Sequence, residues 1–134
     1  PTVTPSPTPS PTPTPPPSGS CTSDSTTLCL HNNRFRVQAD YVDYSYNSGT
    51  GKAVSLTNDS GYFWFLNSTN VELVCKFVSF CNGSNGNYGF YASGLTDVQV
   101  TFKVTDTKDG TYRTYPNALG HRFTTIADGP YSCP

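Results

Sequence analysis

Five cysteines are the most reactive side chains in the sequence: Cys21, Cys29, Cys75, Cys81 and Cys133. None stands in a C-x-x-C pair, so the spacing does not suit zinc, and disulfide chemistry in an oxidising compartment is expected. The spacing alone leaves several pairings of two bridges and a leftover thiol open. His31 and His121 are the only histidines. Neither is accompanied by a nucleophile and an acid in the pattern of a catalytic triad. Asp40 with Asp43, and Asp106 with Asp109, have residue types that could act as an acid/base pair or as Ca²⁺ ligands. The first two fall on opposite faces of one strand, and the second two read as turn residues accepting local hydrogen bonds. No catalytic residue, metal ligand or cofactor is therefore expected, Ca²⁺ included.

Covalent glycans are the expected additions. Three N-x-[ST] sequons occur, at Asn58, Asn67 and Asn82, each in an expected turn or loop. O-glycans are favoured over these, on Thr2, Thr4, Ser6, Thr8, Ser10, Thr12, Thr14 and Ser18, because Ser and Thr beside Pro are the acceptors of mucin-like stalks. Tyr41, Tyr44, Tyr46, Tyr62 and Trp64 are candidates for an aromatic surface on which sugar rings stack. The competing expectation is that such rings fill the core of a chain without Met and with few Ile or Leu.

These residues belong to two unlike parts. Residues 1–20 hold nine of the 12 prolines, with no charge and no aromatic ring. Pro alternates with Ser or Thr from Pro5 to Pro15, a composition that favours extended polyproline II. Seventeen such residues at ~3.1 Å each span roughly 50 Å. The segment reads as a spacer or stalk. Its period of two also suits capping a sheet edge from one side, the prolines disabling the other. Its start has no basic and apolar leader, so the chain is expected to be a processed product or a piece of a longer protein.

Residues 21–134 carry every charge and every aromatic and read as strands separated by turns. Strands are expected at Thr26–Leu30, Arg34–Tyr46, Lys52–Thr57, Gly61–Leu66, Val71–Phe80, Tyr88–Ala92, Val98–Thr105 and Thr111–Tyr115, with Arg122–Ile126 closing the fold. Phe35, Val37, Ala39 and Tyr41 alternate with Arg34, Arg36, Gln38 and Asp40. Gly61–Leu66 (GYFWFL) is aromatic on both faces, so cover on both is expected. Asp109-Gly110 marks a hairpin. The fold expected is an all-β, antiparallel, immunoglobulin-like sandwich of about eight strands with an extended N-terminal tail.

Cys21 with Thr26-Thr-Leu-Cys-Leu30, Arg34-Phe35 with Val37, Ser60-Gly-Tyr-Phe-Trp-Phe65, Asn70-Val-Glu-Leu73 with Lys76, Gly94-Leu-Thr96, and Val104-Thr-Asp-Thr107 with Gly110 and Thr114-Tyr115 stand in order along the domain. This pattern resembles a β-sandwich domain recurrent in bacterial extracellular proteins. The resemblance implies secretion, modules that are often repeated or surface-attached, and no catalytic residues. It also implies the pairs Cys21–Cys29 and Cys81–Cys133. Cys75 stands where the family usually has an apolar residue and is left as a free thiol, expected as a small buried hydrophobe in the Val71/Leu73/Phe77 face, with an intersubunit bridge as the alternative.

Composition narrows the function. Eight basic and nine acidic residues leave a net charge of −1, without the basic cluster that nucleic acid requires. No apolar run reaches the ~20 residues of a membrane span. The function expected is a non-enzymatic extracellular structural module: a subunit or repeat of a glycosylated surface protein or filament. Its Pro-rich tail would space or clamp neighbouring copies, making the chain's main partner another copy of itself. A carbohydrate-binding or adhesion module, with a polysaccharide partner, is the alternative.

Overall fold

The computed structural model describes residues 20–83 and 85–134. Ten strands form: β1 (Leu28–Leu30), β2 (Phe35–Val42), β3 (Ser48–Thr50), β4 (Lys52–Thr57), β5 (Ser60–Trp64), β6 (Leu73–Ser79), β7 (Asn87–Gly94), β8 (Gln99–Asp106), β9 (Tyr112–Asn117) and β10 (Ile126–Ser132). All pairings are antiparallel. One sheet runs β1-β2-β8-β9, with β3 also on β2, and the other runs β10-β7-β6-β5-β4. The domain is an all-β sandwich, and no helix occurs among the described residues.

Period-two alternation builds the core. Phe35, Val37 and Ala39 of β2 meet Val100, Phe102 and Val104 of β8 on one inner face. Phe63, Leu73, Cys75, Phe77, Phe90 and Ala92 supply the other. Aromatic rings bridge the layers: Phe35 stacks on Phe77 at 3.8 Å between centroids, and Phe90 meets Phe102 edge-on at 5.9 Å. Rings thus supply the area that missing Met and scarce Leu would otherwise provide. Gly61 is required by close approach, because a Cβ there would stand 2.5 Å from Leu28, the β1 residue that packs over the second sheet.

Several expected boundaries move. β2 stops at Val42 instead of reaching Tyr46, because the Asp43 carboxylate accepts the Ser45 and Asn47 N–H groups and closes a turn. The chain then returns as the short strand β3. The last strand is Ile126–Ser132 rather than Arg122–Ile126. Its Gly129-Pro130 pair sits in a register shift between Asp128 and Tyr131, which reads in sequence as a turn. The GYFWFL stretch is covered on one face only. Phe63 and Phe65 are buried, whereas Tyr62 and Trp64 point outward.

Candidate interaction surface

Chemistry-bearing residues are best placed by pole and face. Cys21 is bonded to Cys29 and Cys81 to Cys133, while Cys75 is a buried free thiol. Burial pushes the Cys75 thiol up to about 12, so it stays neutral and shielded, and an intersubunit bridge through it has no path. The Asp24–Thr27 bridge runs the chain antiparallel to β1, and Cys21 lies beside Cys29. Followed backwards, the chain thus runs along β1 toward its Leu30 end. That pole also holds the His31–Asn33 turn, the Asn58-Asp59 turn, Cys81 and Cys133. His31 N–H donates to Asn58 C=O, Thr107 N–H to Arg34 C=O, and Lys108 Nζ to Cys133 C=O. Both described chain ends therefore leave from one pole.

Residues 31–33 form an unusual turn there, with φ of 54°, 55° and 61°. Asn tolerates this left-handed region better than most residues. Asn58 holds the turn by accepting Asn32 N–H and donating Nδ2 to Asn32 Oδ1. His31 Nδ1 lies 2.9 Å from Asp59 Oδ1, which gives this histidine a structural partner. Asp109 accepts Thr111 N–H and shapes the expected turn. Asp106 is more than a turn residue. Its carboxylate is buried and takes both Nε and Nη2 of Arg34, at 3.0 and 2.9 Å. Arg34, expected on the outer face of β2, is instead buried just ahead of that strand, where its guanidinium lies over the Phe35 and Tyr88 rings and is neutralised by Asp106. Nothing in local sequence pairs residues so far apart.

The two open sides of the sandwich differ. Between β9 and β10, Tyr115 OH and Arg113 Nη1 both donate to Asp128 Oδ2, and Tyr115 and Tyr131 hydroxyls lie 2.8 Å apart. The hydrogen bond from Tyr115 and the nearby Arg113 hold the Asp128 carboxyl below its usual range, against partial burial. Burial first, then the Asp128 and Tyr131 contacts, raise the Tyr115 hydroxyl far above the ordinary phenol range. Sequence reading missed this seam, although Arg113 and Tyr115 alternate along β9 in the way it requires. Between β1 and β4 there is instead a polar groove of about 360 Å³, lined by Ser23, Asp24, Thr27, Ser55 and Asn58 among others.

The five candidate aromatics do not form one platform. Tyr41 stacks on Phe65 at 4.3 Å and closes the core at the opposite pole. Tyr44 and Tyr46 sit exposed in the β2–β3 turn, with the Tyr44 hydroxyl raised by its hydrogen bond to Asp97. Only Tyr62 and Trp64 share a face, the outer face of the second sheet, where Tyr62 lies between Val54 and Val74. Asn58, Asn67 and Asn82 are exposed in turns, as a glycan would need. Asn67 Oδ1 accepts the Thr69 N–H within its own sequon. Thr2 to Ser18 lie outside the described residues. Among the described residues no group of three or more His, Cys, Asp or Glu gathers as a metal site, and no helix is long and apolar enough to cross a membrane. No protein-family model, no curated protein and no solved structure matches this chain.

Proposed function

We propose that the chain is a non-enzymatic, extracellular structural module, a subunit or repeat of a glycosylated surface protein or filament. Its Pro/Ser/Thr-rich segment spaces or clamps neighbouring copies. The observation that carries this reading is the division at residue 20. An uncharged, proline-alternating segment adjoins a sandwich stapled by two disulfides. Such a segment gains no core of its own and is pre-extended, so its use lies in reach or in docking. The disulfides are compatible with an oxidising compartment, and a net charge of −1 lets bodies pack closely without strong self-repulsion. A tail-to-body contact is heterologous and propagates into an open fibre. Full-length protein is expected to form filaments or sedimenting oligomers, visible by electron microscopy. Deletion of Pro1–Ser18 is expected to leave folded monomers. Filaments that persist after the deletion refute the clamp.

A carbohydrate-binding module is the second reading, favoured by the shared outward placement of Tyr62 and Trp64. Pull-down on insoluble polysaccharide, lost in Trp64→Ala, distinguishes it.

A further inference from the structure

The two outer faces of the sandwich differ in how much apolar surface they present. The first sheet presents Arg36 and Gln38 on β2, Thr101, Lys103 and Thr105 on β8, and Thr114 with Tyr112 on β9, the Tyr112 ring lying under Lys103. The second presents Val54, Tyr62, Trp64, Val74 and Tyr91 on adjoining strands, with Lys52 beside Trp64 and Lys76 over the Tyr91 ring. Val74 is 39% exposed and the neighbouring Leu56 59%, although both are apolar. The Tyr91 ring lies across Gly89, where a Cβ would stand 2.9 Å from Cε2. A shallow groove of about 310 Å³ runs over this face, walled by Leu56, Val74, Lys76 and Tyr91 and floored by Gly61 and Ala92, and Tyr62 and Trp64 continue the face beyond it along β5. No other part of the described chain covers it.

We infer that this face seats the Pro-rich segment of a second copy, residues 1–18. The inference rests on the clamp reading above and names its contact. Its first support is chemical. Pyrrolidine rings are rigid and apolar, and polyproline II leaves its carbonyls free, so such segments dock into aromatic-lined grooves with little ordering entropy to lose. Trp64 and the tyrosines supply both ring faces and N–H or O–H donors for those carbonyls. The second support is dimensional. A polyproline II turn of three residues advances ~9.3 Å, close to two strand spacings of ~4.8 Å, so a segment laid across the strands meets every second strand with every third residue. The Pro/Ser alternation gives each of its three sides the same mixture of rings and hydroxyls, which leaves Ser and Thr on the undocked sides open to glycans.

The third support is where the segment is tethered. Residues 21–24 run back along β1 toward the pole at which the chain leaves. The described residues thus head past the pole and off their own body, so a neighbouring copy lies ahead of that direction. At ~3.1 Å per residue it extends about 55 Å, ample to cross a five-stranded sheet.

Trp64 is the sole tryptophan and lies on the face, so its fluorescence reports occupancy. In the full-length chain, assembly with rising concentration is expected to shift Trp64 emission to the blue. A synthetic peptide of residues 1–18 in excess is expected to dissolve assemblies while keeping emission shifted. Val74→Glu, at an exposed position and checked for an unchanged melting temperature, is expected to weaken peptide binding roughly tenfold or more by placing a charge under apolar rings. Thr114→Glu on the opposite face leaves binding unchanged. If Val74→Glu assembles normally with unshifted emission, the face is wrong while the clamp stands. If shifted assemblies survive deletion of residues 1–18, another copy's body covers the face and both ideas fail. An emission shift caused by polysaccharide and not by the peptide makes the face a sugar site. The absence of both assembly and a peptide-induced shift overturns the docking.

Discussion

Arg34 and Asp106 form an ion pair sealed from water, with the guanidinium 4.7 Å from the Phe35 ring and 4.9 Å from Tyr88. Nη1 already has no partner among the described residues. Asp106→Ala is expected to cost about 3–5 kcal/mol, because it strands a buried charge. The double change Arg34→Met with Asp106→Leu is expected to recover most of that loss. Urea denaturation of the wild type and the two variants measures it, and a single-mutant cost equal to that of the double would mean that the pair is not sealed. Cys75 gives a second residue-scale expectation. Neutral and enclosed, it should resist iodoacetamide in the native protein at mildly alkaline pH and react fully in denaturant. Rapid labelling of native protein would contradict its burial.

At the scale of elements, strand positions follow from alternation, and the closing of the sandwich follows from side chains that meet across sheets. The β9–β10 seam depends on an ionised Asp128. A carboxyl held below its usual value stabilises the fold fully above the ordinary carboxylate pKa, and that contribution disappears as pH falls through the lowered value. Asp128 is 36% exposed, so solvent screening keeps the effect below about 1 kcal/mol. Melting temperature should therefore fall on acidification, and Asp128→Asn should flatten part of the decline. An unchanged acid limb in that variant would place the loss at other carboxylates. Asp109 and Asp24 are lowered too, but at the surface, through hydrogen bonds from their own turns.

For the whole molecule the two bridges act over unequal lengths. Cys81–Cys133 spans 52 residues and Cys21–Cys29 spans 8. Chain-entropy arguments give about 4 kcal/mol for the longer loop and about 2.5 kcal/mol for the shorter. Cys81→Ser with Cys133→Ser should thus lower the melting temperature more than Cys21→Ser with Cys29→Ser, as calorimetry would show. The reverse order would mean that the short bridge has a native role beyond closing its loop, such as fixing Cys21 in the core. Both ends of the described chain leave at one pole, so tension between them acts across that pole and not along the strands.

Much of this architecture is legible before any contact is known. Alternation of Phe35, Val37 and Ala39 marks a strand, Asp109-Gly110 marks a hairpin, and the prolines divide the chain at residue 20. These are local signals, each determined by a few neighbouring residues. Period two also tells that Tyr62 and Trp64 point away from Phe63 and Phe65. It cannot tell which side a second layer will cover, because that layer comes from distant sequence. Only the tertiary structure stacked Tyr41 on Phe65, left Tyr62 and Trp64 facing out, supplied the layer that covers the expected face of Cys75, and joined Arg34 to a carboxylate 72 residues away. The physical reason is common to all four. Alternation is a property of the backbone, whereas burial is a property of what packs against it.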